Sequence, residues 1–135
     1  MALLEISQIK KTYGTGEVAL KGVDVSVEAQ EVVALLGLSG SGKSTLLRCV
    51  NRLVEPDSGQ VVLDGVDITS LGKSSLRNAR RTMGMIFQEF NLIDRLTVLE
   101  NVLAGTLGVT GTLRGIFRAF HGDDIQRALE LCERV

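Results

Sequence analysis

The most constraining stretch of this 135-residue chain is Gly37-Leu38-Ser39-Gly40-Ser41-Gly42-Lys43-Ser44-Thr45. It fits the spacing G-x-x-x-x-G-K-[S/T] of a phosphate-binding loop. Before it, Val32-Val33-Ala34-Leu35-Leu36 is a continuous apolar run, the pattern of a parallel strand buried on both faces. After it, Leu46, Leu47, Val50 and Leu53 recur at helical spacing. A Gly/Ser-rich linker could match the motif by chance, but linkers are not usually set between an apolar strand and an amphipathic helix.

The spacing follows from the chemistry of a polyphosphate, whose negative charges need donors on several sides. Gly37, Gly40 and Gly42 let the backbone turn its N–H groups inward, at φ values that cost an L-residue about 1–2 kcal/mol. A helix opening near Lys43 adds unpaired N–H groups and the positive end of its dipole. Lys43 is then expected to reach the β- and γ-phosphates, and Ser44 to offer its hydroxyl to Mg²⁺. These residues predict that the chain binds ATP or GTP.

Composition narrows the partners. Net charge is −1 with 23% charged residues, so no basic excess exists to displace counterions, and no nucleic-acid partner is expected. No apolar run approaches the roughly 18 residues of a membrane span. Met1-Ala2-Leu3-Leu4-Glu5 has none of the features of a secretory signal. Cys49 and Cys132 stand apart, without His or Cys at ligand spacing, and are expected to be two buried thiols. His121, beside Gly122, reads as a loop residue.

Taken in order, Leu4, Ile6 and Ile9 predict a first strand, followed by a loop ending at Gly16 that carries Tyr13, the only tyrosine. Val23 to Glu28 alternates as a half-solvated antiparallel strand should. Gln60 to Leu63, Asp64-Gly65 and Val66 to Ile68 make a hairpin signal. Val61-Val62-Leu63-Asp64 also resembles superficially a Mg²⁺-binding strand, but no glutamate follows Asp64 and the hairpin is the better reading. Ser74 to Arg81 reads as a short basic helix whose charges form a solvated face. Met83 to Phe87 reads as a second buried strand, ending at Gln88.

Further along, Thr97 and Glu100 fit a capping box at the head of a helix through Leu103. Leu113 to Phe120 is amphipathic and suits packing in a helical subdomain better than a membrane surface. A final helix is expected to open at Asp123, with Gln126 at capping-box spacing and Ile125, Ala128, Leu129, Cys132 and Val135 on one face. That stripe runs to the last residue with no stop signal, so the chain reads as halting mid-element.

Together these features resemble the ATP-binding subunit of an ABC (ATP-binding cassette) transporter, over its N-terminal half. The resemblance implies an α/β fold: a P-loop NTPase core of the ABC type with an N-terminal antiparallel β subdomain and the start of a helical subdomain, truncated. The core would take residues 1–95 and the helical subdomain 96–135. Tyr13 matches the A-loop aromatic that stacks on adenine, and Gly37 to Thr45 match Walker A. The cofactor-binding set so implied is Tyr13, Gly37, Ser39, Gly40, Ser41, Gly42, Lys43, Ser44 and Thr45, with ATP and Mg²⁺ as cofactors.

Gln88 matches the Q-loop glutamine, which in the family contacts Mg²⁺ and the attacking water and senses the membrane subunit. The resemblance therefore makes Lys43 and Gln88 catalytic, and Ser44 and Gln88 metal ligands. Two positions depart from the pattern. Leu38 stands where proline is common, which loosens the turn without removing a donor. Gln30 stands where glycine is favoured, at a cost of about 1 kcal/mol if φ is positive there.

Within the family, Phe87 to Gly105 and the later stretch around Phe117 and Gln126 to Val135 look like the phosphonate-import subunits. Much of the first run is shared with importers of polar amino acids. The resemblance implies a homodimer of ATPase subunits on the cytoplasmic face of the inner membrane, bound to transmembrane permease subunits. A solute-binding protein outside the membrane would be an indirect partner. The family's Leu-Ser-Gly-Gly-Gln signature is not in the sequence, and its Walker B aspartate, catalytic glutamate and switch histidine are expected beyond residue 135. A non-catalytic nucleotide-binding fragment is accordingly the competing reading. An unrelated P-loop kinase or GTPase fits less well, because antiparallel strands precede the loop.

Overall fold

A computed structural model describes residues 2–88, 91–108 and 120–134. The chain forms two compact units, Met1–Met83 and Gly84–Val135. The first holds a four-stranded sheet of β1 (Leu4–Thr12), β2 (Val18–Val27), β3 (Ser58–Leu63) and β4 (Val66–Asp67), in the order β2-β1-β3-β4. Every pairing is antiparallel. Two helices complete it, α1 (Lys43–Val50) and α2 (Lys73–Arg80).

A bulge in β1 reconciles its sequence with its burial. Ile6 and Ile9 are three apart, so a regular strand would place them on opposite faces, yet both are buried. Gln8 adopts φ 50, and the register slips between Ile6 and Ile9 against β2 and between Ser7 and Lys10 against β3. Across the ladder only glycine fits, since a Cβ on Gly59 would stand 2.4 Å from the Gln8 carbonyl oxygen. Gln8 is held from the other side by Asp24, whose carboxylate accepts its backbone N–H at 2.8 Å and also its side-chain amide.

The core joins this sheet to α1 through Ile6, Ile9, Leu20, Val61 and Ile68 from the strand side and Leu46 and Cys49 from the helix, with Leu76 of α2. Leu46 and Cys49 are one turn apart and define the face α1 buries. Burial pushes the Cys49 thiol up from its ordinary pKa. Leu47 and Leu53, expected on the packed face, are exposed. Helix α1 stops at Val50, and Arg52 at φ 53 turns the chain away.

Two arginines fasten the ends of these elements. The Arg52 guanidinium donates to the carbonyls of Ile68 at 2.9 Å and Leu71 at 2.7 Å, and pairs with Glu55. Arg80 donates to the carbonyls of Asn51 at 2.8 Å and Arg52 at 2.7 Å, covering the C-terminal end of α1. The basic helix expected at 74–81 therefore does not present all its charges to solvent.

The Asp64-Gly65 hairpin forms as expected. Both residues have positive φ, 48 and 74, as a type I′ turn requires, and the Asp64 N–H donates to the Leu3 carbonyl at 2.8 Å. Asp64 is thus turn chemistry. The two expected parallel strands are not formed. Residues 32–36 and 83–87 carry no strand pairing, Val32 is 95% exposed, and Leu36 and Ile86 also lie in the open. A strand exists only through its ladder bonds, and no strand among the described residues lies beside either run.

The second unit contains α3 (Val98–Ala104), a 3₁₀ turn (Gly105–Gly108) and α4 (Gly122–Glu133). The Thr97–Glu100 capping box is present: the Thr97 hydroxyl accepts the Glu100 N–H at 3.3 Å, and the Glu100 carboxylate accepts the Thr97 N–H at 2.8 Å. Asn101 ties the preceding loop to α3, accepting the Ile93 N–H at 2.8 Å and donating to the Thr97 carbonyl at 3.0 Å. Leu103 and Ala128 are the buried residues of α3 and α4. Helix α4 opens before Asp123: His121 is its N-cap, which leaves Asp123 and Asp124 in the first turn beside the positive dipole end. Cys132 is only half-buried, unlike Cys49. Residues 113–119 lie outside the described residues.

Candidate functional site

The loop 37–45 is built by local backbone requirements. Gly40 and Gly42 take φ 78 and 90, where any other residue would be strained. Gly42 is the N-cap of α1, and no side chain caps the helix; its first turn also holds no acidic residue. The positive end of α1 is therefore not offset by a carboxylate of its own first turn. The turn closes where the Ser41 N–H donates to the Leu38 carbonyl at 3.2 Å and the Leu46 N–H to the Gly42 carbonyl at 2.8 Å.

Lys43 folds back over this loop. Its ammonium donates to the carbonyls of Gly37 and Leu38, each at 2.8 Å, and to Ser41 Oγ at 3.2 Å. A Cβ on Gly37 would stand 2.7 Å from Ser41 Oγ and 4.0 Å from Lys43 Nζ, so glycine leaves open the space in front of the ammonium. A cradle of backbone amides, hydroxyls and one ammonium, with no side-chain carboxylate within the loop, matches the donor set a polyphosphate needs. Ser39, Ser41 and Ser44 are exposed around it. Leu38 is exposed as well, and its side chain takes no part in the core.

The β subdomain is seated against the same loop. A Cβ on Gly42 would meet the Ala19 carbonyl oxygen at 2.5 Å and Leu20 Cδ2 at 3.1 Å, so β2 runs directly under the head of α1. The turn joining β1 to β2 is closed by Tyr13, whose N–H donates to Glu17 at 2.9 Å and whose carbonyl accepts from Gly16 at 2.8 Å. From that turn the Tyr13 hydroxyl reaches Thr45 Oγ1 at 3.2 Å. Tyr13 and residues 37–45 thus belong to one unit and are joined by a direct contact.

Gln88 belongs to the second unit, where its side chain is exposed. Sequence reasoning missed the Tyr13–Thr45 contact and the seating of Gly42 on Ala19. Neither has a periodicity to reveal it; the only hint was a lone tyrosine in a glycine-rich turn.

Residues 20–135 match the sequence profile of the family described as ABC transporter. The chain belongs to that family. Among the relatives of this ABC chain is the phosphonates import ATP-binding protein PhnC 1 of Rhodopseudomonas palustris. The two are 58% identical over 133 residues, covering 98% of the chain and 49% of the relative. The phosphonates import ATP-binding protein of Alcaligenes faecalis is 55% identical, with 98% and 48% covered. The chain spans about half the length of the curated relatives it matches.

Solved ABC cassettes share the fold. A dimeric bacterial ABC transporter cassette superposes with a TM-score of 0.79 at 36% identity over 94% of the chain and 54% of the cassette. A dimeric post-hydrolysis cassette bound to ADP and Pi gives 0.76 at 38% identity, with the same coverage. The chain therefore has the α/β fold of the ABC-type P-loop NTPases, with antiparallel β structure around the loop and helices after it.

Proposed function

We propose that this ABC chain carries the nucleotide-binding part of an importer's ATP-binding subunit, with phosphonates as the transported solute. The observation that carries the reading is the Lys43 ammonium turned into a glycine-built cradle at the uncapped head of α1. The relatives at 58% and 55% identity are named for phosphonate import, which supports that solute class over polar amino acids. We assign residues 1–95 to the nucleotide-binding core and 96–135 to the opening of a helical subdomain.

The roles follow from position. Lys43 is released from the Gly37 and Leu38 carbonyls as phosphate oxygens take their place, exchanging neutral acceptors for charged ones. The amides of Gly40 and Gly42 and the first turn of α1 hold the rest of the polyphosphate, with Ser41 adding its hydroxyl. Ser39, Ser44 and Thr45 supply hydroxyls, that of Ser44 being directed to Mg²⁺, and Tyr13 offers its ring to the base. Gln88 is assigned to the metal and the attacking water on the family resemblance of its position. Mg²⁺, when bound, neutralises charge on the phosphates and fixes their orientation.

Permease subunits on the cytoplasmic face of the inner membrane, a second ATPase subunit and, indirectly, a solute-binding protein complete the proposed assembly. Dimeric solved relatives support the paired arrangement. Lys43, Ser44 and Gln88 offer no general base, so the 135-residue chain is expected to bind ATP without importer-like turnover. Titration with ATP and a phosphate-release assay test both statements; absent binding refutes the site, and a rate typical of importers refutes the expected lack of turnover. The solute is tested by a hybrid in which this chain replaces the matching half of a phosphonate importer's ATPase. Restored growth on phosphonate is expected, and restoration only in the equivalent hybrid of an amino-acid importer would overturn that assignment.

A further inference from the structure

Tyr13 and Thr45 are 32 residues apart, one in the β1–β2 turn and the other in the first turn of α1, and their hydroxyls stand 3.2 Å apart. Both side chains are half-buried. The turn around Tyr13 contains Gly14 and Gly16, the latter at φ 82, and a Cβ on either would meet nothing within 4 Å. The two glycines of that turn therefore give the aromatic ring no side-chain support of their own. Thr45, in contrast, stands on a helix whose next residue, Leu46, is buried in the core.

We infer that Thr45 is a positioning residue for Tyr13, its hydroxyl holding the tyrosine so that the ring and the phosphate cradle form one rigid recognition unit. The inference rests on the nucleotide-binding reading above and adds to it a specific division of labour. The core fixes α1, α1 fixes Thr45, and the hydroxyl pair transmits that position to a ring carried by an open turn. A ring held in advance binds a base without the cost of ordering it, whereas a free ring must be immobilised on binding. The base end of the ligand should therefore feel the loss of the Tyr13 hydroxyl and the phosphate end should not.

The composition supplies a direct probe, since Tyr13 is the sole tyrosine and the chain has no tryptophan. Tyrosine fluorescence anisotropy on the full 135-residue chain without nucleotide should fall in Thr45→Val and be retained in Thr45→Ser, which keeps the hydroxyl. In equilibrium titrations, Tyr13→Phe should weaken ATP binding about two- to tenfold, the range of one net hydrogen bond, and leave inorganic tripolyphosphate binding unchanged. In a Thr45→Val background the Tyr13→Phe change should add nothing.

Unchanged anisotropy in Thr45→Val, equal ATP affinity in Tyr13→Phe, or an equal loss for ATP and tripolyphosphate would each overturn the inference. Absence of ATP binding by the unaltered chain would instead remove the nucleotide-binding reading, and this inference with it.

Discussion

The Cα of Gly42 faces the carbonyl oxygen of Ala19 so closely that a Cβ there would stand 2.5 Å away. The phosphate cradle is thus not a free loop: its last glycine is pressed onto the backbone of β2. Backbone cannot yield as the tip of a long side chain can, and the position also sits at φ 90. Gly42→Ala is expected to cost at least about 1–2 kcal/mol from the left-handed backbone alone, with the contact in addition. Urea unfolding should show a lowered midpoint, and ATP affinity should fall in the fraction that remains folded.

Gln30 gives the opposite case. It stands at φ 66 in the turn after β2, and its side chain is exposed. Gln30→Gly releases about 1–2 kcal/mol of left-handed strain and gives back part of it through the freer unfolded chain, leaving a gain of about 0.5–1 kcal/mol. Gln30→Ala keeps the Cβ and should gain nothing. Thermal unfolding of the three proteins side by side checks this.

The Lys11–Asp57 pair sets a pH window. Asp57 is held below the usual carboxylate pKa by the hydrogen bond from the Lys11 ammonium at 2.8 Å and by the Thr12 N–H at 2.6 Å. Hydrogen bonds from Thr69, and secondarily from the Gln60 side chain, depress Asp67 as well. Depressed folded-state values mean that the unfolded chain takes up protons first, so stability is present above about pH 4 and is lost as pH falls through the folded values. Lys11 moves the other way, raised chiefly by its bond to Asp57, so its contribution holds below about pH 10.4 and fades above it. Stability against pH in Asp57→Asn should therefore lose part of the acid limb and part of the alkaline limb together.

Thr97 and Glu100 close a reciprocal cap on α3. Thr97→Ala should destabilise that helix by about 1 kcal/mol, and Thr97→Ser should retain most of the cap. Hydrogen exchange of the amides of residues 98–104 is the direct measurement; faster exchange confined to the alanine variant is expected.

Much of this architecture was legible because it is local. The Asp64-Gly65 hairpin, the Thr97–Glu100 cap and the opening of α1 at Lys43 each depend on residues within a few positions of one another. The bulge at Gln8 was not legible, although Ile6 and Ile9 at a spacing of three were the signal for it. Runs 32–36 and 83–87 read as strands because apolar continuity records how deeply a segment is meant to be covered, while strand formation depends on neighbours elsewhere in the chain. Of the site, the motif named the cradle residues. The Tyr13–Thr45 contact and the seating of Gly42 required the fold, because each joins segments more than twenty residues apart.

The most direct measurement is calorimetric titration of Mg-ATP into the unaltered chain and into Lys43→Ala. Removing an ammonium that would bond to charged phosphate oxygens should weaken binding about tenfold or more, with the unfolding midpoint little changed. Equal affinity in the two proteins would contradict the claim that this cradle is where the nucleotide is held.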